Sequence, residues 1–306
     1  MAAKVEFGIF SPQAGMNLPA MIERVKNAER SGFHAVWLVD HVFSPAYPEL
    51  DHLECLALLS ALAAQPGKIR LGVLVLCNSF RNPSLLAKAL ASIDQISGGR
   101  LEIGLGAGWA EREYHAYGYE FPSIGVRLKQ LEETLQILKA MFTQPHPSFT
   151  GQYFRIADAL NNPRPVQQPY PPITIGGSGE KVMLRIVAQY ADRWNCPSAY
   201  RDFNHKVAVL KEHCRAVGRD FNTLQVSEQV LVCMGKDEAE AAEKWKFGQK
   251  MKPFAHTAVR GTPKQIVEQL QERVARGVSM FMCYFSDQAP PDTLELFARE
   301  VMPVFA

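Results

Sequence analysis

The sequence predicts one (β/α)8 TIM barrel over residues 1–306, in which eight parallel strands close into a sheet ringed by helices. Three observations support this fold class. Short runs rich in Val, Ile and Leu alternate with segments of helical periodicity, several runs are apolar on both faces, and no linker rich in Pro, Gly or Ser divides the chain. Strands covered on both sides have this continuous apolar character. An open doubly wound sheet is the alternative, but it would rarely hold eight such units in 306 residues without a second domain.

The predicted strands and helices alternate to the end of the chain. The strands occupy residues 5–10, 35–40, 69–76, 101–106, 173–176, 193–196, 225–234 and 280–285. The principal helices occupy residues 18–31, 53–64, 83–96, 127–141, 182–190, 203–217, 263–276 and 293–302. End signals support several boundaries: Asn82 is an N-cap type residue before Pro83, and Gly32 and Gly277 follow their helices as stop signals.

Two insertions interrupt this alternation, one after strand 4 and one after strand 7. Residues 144–171 contain the hairpin-like sequence FTGQYFRI among several prolines, and this segment is too polar and broken for a barrel layer. Residues 236–253 have the pattern of a charged helix with mixed signs at short spacing. For such a helix a solvated face is expected rather than a ligand site.

The bulk composition argues against several classes of protein. A net charge of +2 gives no basic field for nucleic acid or an acidic membrane, and no apolar run is long enough to span a bilayer. The N-terminus enters a strand-like segment without a signal peptide's apolar stretch. The six cysteines include no CxxC pair, and the histidines include no HExxH or zinc-like spacing. We therefore expect a cytoplasmic protein with free thiols and no metal site.

The second predicted strand ends in Asp40 and His41, directly after the apolar run AVWLV. Active sites of TIM barrels form at the carboxyl ends of the strands. Histidine changes its charge near neutral pH, and an adjacent carboxylate can bias its tautomer, so the pair is a candidate for proton transfer. The alternative is that Asp40 caps the next segment while His41 packs beneath a loop.

The third predicted strand ends in a second group of small and polar residues, Cys77, Asn78 and Ser79. Arg81 follows on the same loop, where it either meets an anion or lies alone on the surface. An ordinary strand-to-helix turn that ends in the N-cap Asn82 would explain the same pattern.

The fifth predicted strand runs into a loop of four small residues, Gly176, Gly177, Ser178 and Gly179. A helix follows, with Lys181 and Arg185 in its first turns. Glycines let backbone N–H groups approach a phosphate, and a helix N-terminus adds positive potential, so this loop predicts a phosphate site; a plain tight turn is the alternative.

A further glycine cluster, GLGAGW, follows the fourth predicted strand at residues 104–109. Its spacing is GxGxG, which differs from the GxGxxG of dinucleotide-binding folds, and no βαβ unit with a suitably placed acid follows. We expect its glycines, including Gly106 and Gly108, to let the backbone approach a flat ring at the barrel mouth.

Taken together, these motifs resemble the bacterial luciferase-like superfamily, and within it the oxidoreductases that depend on the deazaflavin coenzyme F420. The resemblance runs along nearly the whole chain and is carried by four stretches: GFHAVWLVDHVF, RLGVLVLCNSFRNPSLLAKALASIDQISGGRLEIGLGAGWAEREYHAYG, GVRLKQLEETLQILKAMF and PPITIGGSGEKVMLRIVAQYADRWN. It implies a TIM barrel, usually a homodimer, that seats a flavin-type ring in the mouth formed by the carboxyl ends of the strands.

The resemblance also implies roles for individual residues. Asp40 and His41 correspond to an acid–histidine pair that contacts the ring or the substrate and can transfer protons. Cys77-Asn78 corresponds to a site where relatives carry a non-prolyl cis peptide that supports the ring. The loop from Gly176 to Gly179 corresponds to the one that holds the cofactor's phosphate.

One position departs from the pattern of the sugar-phosphate-oxidising relatives. They carry a glutamate directly after the third glycine of the fourth-strand motif, where this chain has Trp109; its nearest acids are Glu111 and Glu113. A sugar-phosphate substrate is therefore not implied. Trp109 either suits a more apolar substrate or packs against the ring.

The resemblance implies hydride transfer between F420 and a small organic substrate, with His41 exchanging a proton and Asp40 orienting His41 or hydrogen-bonding the ring edge. The first alternative is a monooxygenase that takes reduced FMN from a partner reductase and uses oxygen. The second is a non-catalytic flavin carrier or sensor. A nicotinamide-dependent barrel reductase would require a catalytic Tyr–Lys pair, which cannot be placed at these strand ends.

Overall fold

A computed structural model describes residues 4–197, 199, 201–252 and 254–306, and it contains the closed barrel that the sequence predicts. The strands in the described part of the chain are β1 (Glu6–Phe10), β2 (Ala35–Leu38), β3 (Arg70–Val73), β4 (Leu76–Cys77), β5 (Leu101–Gly106), β6 (Phe149–Thr150), β7 (Arg155–Ile156), β8 (Ile173–Gly176), β9 (Arg193–Asn195), β10 (Gln225–Met234), β11 (Val259–Gly261) and β12 (Met280–Phe285). The helices are α1 (Leu18–Arg30), α2 (Cys55–Ala63), α3 (Pro83–Ser97), α4 (Glu111–Ala116), α5 (Ile124–Thr143), α6 (Met183–Tyr190), α7 (Phe203–Ala216), α8 (Glu238–Gly248), α9 (Pro263–Ala275) and α10 (Pro291–Glu300).

The barrel is a ring of parallel strands in the order β1, β2, β3, β5, β8, β9, β10 and β12, and it closes because β12 pairs with both β10 and β1. Strand β4 follows β3 after a short break and pairs with β5. Strand β11 pairs with the last three residues of β10. All of these pairs are parallel, so the carboxyl ends of the strands meet at one mouth. The (β/α)8 prediction is therefore confirmed.

The core has two layers. Inside the barrel, Trp37, Phe10 and Met282 belong to one buried cluster. Outward-facing strand residues such as Leu38 pack with apolar helix residues such as Leu59 in a much larger cluster. The six cysteines are free and buried. None of the helices within the described ranges combines the length and apolar character needed to cross a membrane.

Local signals explain where the helices start. The Asn82 side chain accepts the N–H of Ser84 at 3.0 Å, so α3 begins at Pro83 as predicted. Helix α2 begins later than predicted because the Glu54 carboxylate accepts the N–H of Ala57 at 2.7 Å. Helix α4 was not predicted, since its six mostly polar residues are too few to show a period.

Both predicted insertions are present. Strands β6 and β7 form an antiparallel pair, which is the hairpin predicted within residues 144–171. The second insertion contains α8, which has few buried residues and a largely exposed charged face. Pro253, the last residue of that insertion, lies outside the described residues.

The third predicted strand is interrupted, and the expected position of the non-prolyl cis peptide is wrong. The cis bond joins Leu74 and Val75, between β3 and β4, and is not at Cys77-Asn78. Asn78 instead begins a short 3-10 turn, Asn78–Phe80. The run of apolar residues continues through this break, so the sequence pattern alone did not reveal it.

The glycines of β5 accommodate this break in the neighbouring strand. A Cβ atom at Gly104 would overlap the Val73 carbonyl oxygen, and one at Gly106 would lie 2.6 Å from Cγ2 of Val75. At Gly176 on the other side, a Cβ atom would be 3.4 Å from Cγ1 of Val75. Val75 therefore occupies a space that side chains on β5 would otherwise fill. Gly104 and Gly106 are needed because the segment from Val73 to Val75 of the protein's own chain lies against them, whereas the sequence predicts that these glycines approach a flat ring.

A buried ionic network closes the opposite, amino-terminal end of the barrel. Glu102 of β5 is 1% exposed and accepts hydrogen bonds from Arg70 and, at 2.9 Å, from Arg193 across the barrel. Burial alone would raise the pKa of the Glu102 carboxyl, but the nearby His34 imidazole and the charges of Arg193 and Arg70 lower it to about 2. The carboxylate therefore stays ionised and neutralises the buried Arg193 and the half-buried Arg70, which would otherwise lack this counter-charge.

We predict that Glu102→Gln lowers the free energy of unfolding by about 3 kcal/mol at neutral pH, because it leaves Arg193 and Arg70 unpaired. The folded pKa lies below the ordinary value of 4.5, so the carboxylate stabilises the protein above that pH and the contribution is lost as the pH falls toward 2. Urea unfolding should show a difference from the wild type that shrinks in this range. Glu243→Gln, in the exposed pair with Lys246, is the control and should change stability by less than about 0.5 kcal/mol. An equal loss in both variants would contradict the prediction.

We also predict energetic coupling between Gly106 and Val75. Gly106→Ala should destabilise the protein by about 1–3 kcal/mol through overpacking, and Val75→Ala should restore part of this loss because it removes the clashing methyl. Urea unfolding of the two single variants and the double variant measures the coupling. Gly176→Ala, whose new methyl would meet Val75 at an ordinary contact distance, should cost less than Gly106→Ala. Strictly additive effects would argue against the packing described here.

Candidate active site

The mouth of the barrel contains a pocket of about 140 Å³ where the ends of β2, β4 and β5 meet the start of α4. Its lining residues are Val39, Asp40, His41, Leu74, Val75, Leu76, Cys77, Phe80, Gly108, Trp109, Ala110, Glu113 and Tyr114. The fold thus brings four of the site candidates predicted from the sequence into one wall, together with Trp109. These candidates are Asp40, His41, Cys77 and Gly108.

His41 is oriented by a residue that the sequence did not single out for this role. Its Nδ1 lies 2.7 Å from Oε2 of Glu113, a buried carboxylate in the first turn of α4. The other oxygen, Oε1, accepts the N–H of Val42 at 2.8 Å. Because a carboxylate only accepts hydrogen bonds, the proton of the imidazole lies on Nδ1 and Nε2 is the nitrogen left for other partners. Of the two roles expected of Asp40, orienting His41 is therefore wrong, while a hydrogen bond to the ring edge stays a prediction.

Asp40 instead connects two strand ends. Its carboxylate accepts the backbone N–H of Cys77 at 2.7 Å and both terminal nitrogens of Arg81, at 2.7 and 2.8 Å. Arg81 also pairs with Glu54, so it is neither alone on the surface nor free for an anion. Burial opposes the charge on Arg81, but its bonds to Asp40 and Glu54 raise its pKa. This bidentate pair fixes the loop that follows β4.

The Cys77 thiol is held in the protonated state. Burial raises its pKa to about 11, despite a hydrogen bond of 3.1 Å between Sγ and the Tyr114 hydroxyl. Gly108, with a φ of +73°, lies against both groups, and a Cβ atom there would overlap the Tyr114 hydroxyl. Cys77 is therefore a neutral wall residue rather than a nucleophile, and Gly108 is required by the packing of α4.

Trp109 stands at the rim of the pocket. Its side chain is 68% exposed, and its ring meets the His41 ring edge-on at 5.6 Å between centroids. Arg127 donates to the Gly108 carbonyl at 2.7 Å and so anchors the turn that carries this tryptophan. Glu111, the other acid near Trp109 in sequence, is exposed.

The glycine loop lies beside the pocket, at the end of β8. Gly177 has a φ of +136°, a conformation that side chains disfavour, and its carbonyl accepts the indole N–H of Trp194 at 2.7 Å. The Lys206 ammonium donates to the Ser178 carbonyl at 3.2 Å. Arg185, which the sequence placed in the first turns of the following helix, is engaged by Glu132 in two bonds of 2.7 Å. The exposed Gly179 leaves this loop open to solvent.

Asn78 lies apart from the His41 pocket. Its side chain is 1% exposed, and neither amide atom has a hydrogen-bond partner among the residues that the structure describes. It borders a separate hollow of about 300 Å³ with Tyr119 and Phe154. The wall of the His41 pocket therefore lacks several residues that the sequence predicts to contact the cofactor, namely Asn78, Gly106 and the loop from Gly176 to Gly179.

Glu113 and Tyr114 are the site residues that sequence reasoning missed. They lie in AEREYHAYG, the end of one of the stretches that carry the resemblance to the luciferase-like superfamily. No local feature separates Glu113 from Glu111, because only the direction of α4 decides which acid is buried. A helical periodicity over a longer segment would have been the needed signal.

Comparison with known proteins agrees with this architecture. The sequence model of a family described as luciferase-like monooxygenase matches residues 5–256. The F420-dependent glucose-6-phosphate dehydrogenase of Amycolatopsis mediterranei is 28% identical over 234 residues, which cover 74% of this chain and 68% of the relative. The FMNH2-dependent dimethylsulfone monooxygenase of Pseudomonas putida is 27% identical over 316 residues, which cover 90% of this chain and 85% of the relative.

The fold agrees as well. A solved structure of an F420-dependent secondary alcohol dehydrogenase, in complex with an F420–acetone adduct, has a TM-score of 0.85 and 19% identity and covers 99% of both chains. At this identity the likeness shows the fold alone, whereas the family match spans most of the sequence. The chain therefore belongs to the luciferase-like monooxygenase family, and its relatives are oxidoreductases and monooxygenases.

Proposed function

We propose that this protein transfers a hydride between coenzyme F420 and a small organic substrate, with His41 exchanging the accompanying proton. The observation that carries the proposal is the pairing of His41 Nδ1 with the buried Glu113 carboxylate at 2.7 Å, in the wall of the mouth pocket. Reduction of a carbonyl-type group adds a hydride to the carbon and a proton to the oxygen, and the reverse reaction removes both, so a positioned acid–base group is required beside that oxygen.

The residues at the mouth fit a flat ring with a phosphate-bearing tail. Val75 stands at the break between β3 and β4, where it fills the space beside Gly106 and Gly176 and lines the mouth pocket as an apolar surface on which a planar group can pack. The loop from Gly177 to Gly179 follows at the same end of the barrel and is partly exposed. We assign the ring to the surface around Val75 and the phosphate to this loop.

The pairing of Lys206 beside the loop favours F420 over FMN. Lys206, whose ammonium reaches the loop, is already paired with Asp202 at 2.9 Å and Glu180 at 3.3 Å. FMN ends in a phosphomonoester with up to two negative charges, while the phosphate of F420 is a diester with one. A loop whose hydrogen-bonded lysine, Lys206, is neutralised by two carboxylates suits the less charged group.

When bound, F420 supplies two-electron hydride chemistry. The protein's part is orientation and proton exchange. Glu113 holds the His41 proton on Nδ1, which leaves Nε2 to accept a proton from a substrate hydroxyl or, once protonated, to return it. The apolar residues Leu74 and Leu76 line the same wall and offer water no hydrogen-bonding side chain.

A monooxygenase that uses reduced FMN is the second candidate. The match to the FMNH2-dependent relative covers 90% of this chain, a larger share than the 74% covered by the match to the F420-dependent dehydrogenase. This function would require a partner reductase to supply the reduced flavin. In either case we propose a homodimer, as the family resemblance implies.

The cofactor assignment is tested by titrating the purified protein with F420 and with FMN, followed by desalting and absorbance spectroscopy. F420 should be retained and should bind at least tenfold more tightly than FMN. The reverse order, together with oxygen uptake on reduced FMN, would establish the second candidate instead.

Gly179→Ala tests the location of the phosphate. A Cβ atom there would be 3.6 Å from the nearest atom, an ordinary contact, so the fold should tolerate it while the methyl obstructs the loop amides. We expect about a tenfold loss of cofactor affinity with an unchanged melting temperature. Gly125→Ala, at an open position in α5, is the matched control and should leave cofactor affinity unchanged. Full affinity in Gly179→Ala would place the phosphate elsewhere.

His41→Asn and Glu113→Gln test the proton-transfer role. Each should lower kcat by roughly 10²–10⁴-fold, while the dissociation constant of the cofactor changes by less than about threefold. In Glu113→Gln the amide N–H can face His41 and reverse its tautomer, so the pH profile should also shift. His146→Asn, in the exposed pair of His146 with Asp158, is the control. Undiminished turnover in His41→Asn would exclude this mechanism.

A further inference from the structure

Every charged side chain in the wall of the mouth pocket is already paired with another group of the protein. The acidic and basic wall residues are Asp40, His41 and Glu113. Asp40 is engaged by Arg81 and the Cys77 amide, and Glu113 is engaged by His41 and the Val42 amide. No lysine or arginine lines this pocket in the described part of the chain, and the guanidinium of Arg81 is committed to Asp40 and Glu54.

The rest of the wall is mostly apolar. Apart from Val75, to which the cofactor ring is assigned, it consists of aliphatic and aromatic side chains and a protonated thiol, namely Val39, Leu74, Leu76, Cys77, Phe80, Ala110 and Tyr114. A charged substrate group that entered this space would lose its hydration without gaining a counter-charge, which costs several kcal/mol. The wall therefore selects against anions and cations alike.

Trp109 adds a large apolar surface at the open side. It is 68% exposed although its ring approaches His41, and the bond from Arg127 to the Gly108 carbonyl holds the turn in place. Arg127 is itself stacked on Phe121 at 3.9 Å. An anchored aromatic ring beside the proposed acid–base group presents a face on which a planar apolar group can pack.

We infer that the substrate is a neutral, largely apolar molecule that reaches His41 while its planar or aliphatic part packs against Trp109. This inference rests on the proposed function, since it names the substrate class of the same site. Phosphorylated sugars, the substrate class indicated by the name of one relative, are excluded because the pocket offers their phosphate no unpaired cation.

The test uses three probes of nearly the same shape and different charge: acetophenone, benzoate and benzamidinium. Their dissociation constants are measured on the full-length protein by ligand-observed NMR titration, without cofactor. Acetophenone should bind at least tenfold more tightly than either ion. In Trp109→Ala its affinity should fall about three- to tenfold, as expected for the loss of one aromatic contact.

Phe247→Ala is the matched control, because Phe247 is an exposed aromatic residue on α8 that does not line the pocket. It should leave the affinity for acetophenone unchanged. Equal binding of benzoate, absence of acetophenone binding, or an equal loss in both variants would overturn the inference. A tenfold loss of F420 affinity in Trp109→Ala, with acetophenone binding intact, would also overturn it, since Trp109 would then pack on the ring.

Failure of this inference and failure of the proposed function give different results. Probe binding is measured without cofactor, so selective binding of acetophenone supports the substrate class even if FMN proves to be the cofactor. Conversely, retention of F420 combined with tight binding of benzoate would contradict the substrate class alone.

Discussion

The arrangement of the mouth depends on the carboxylate of Asp40. One of its oxygens accepts the Cys77 amide, and both are engaged by the guanidinium of Arg81, so the end of β2 is tied to the segment after the break in β3. The charge is buried and would be costly without this partner. Because His41 is the next residue in the chain, the same bonds determine where the imidazole stands relative to Val75.

The two ends of the barrel use buried charge for different purposes. At the amino-terminal end, Glu102 with Arg70 and Arg193 forms a closed network that serves stability, as expected where no ligand approaches. At the mouth, one oxygen of the Glu113 carboxylate accepts the Val42 amide, and the other is hydrogen-bonded to His41. Among the described residues no side chain binds Nε2 of His41, and a free imidazole nitrogen in a pocket is the feature that distinguishes a reactive site from a structural one.

The pocket is preorganised more by packing than by charge. Gly108 brings α4 close enough for the Tyr114 hydroxyl to meet Cys77, and this contact sets the position of the helix that carries Glu113. The turn at Trp109 is fixed from outside by Arg127. A site built in this way presents shape and one acid–base group rather than an electrostatic field, which is consistent with a neutral substrate.

The sequence by itself determined the barrel and the location of its mouth, because strand and helix periods are local and parallel strands must bring their carboxyl ends together. It therefore placed Asp40, His41 and Cys77 at one site. Only the tertiary structure decided how these residues are paired: Glu113 lies 72 positions from His41, and Asp40 binds a residue 41 positions away. Such pairings depend on the direction of α4 and on the break at Leu74-Val75, which arise from packing between elements and leave no periodic signal in the chain.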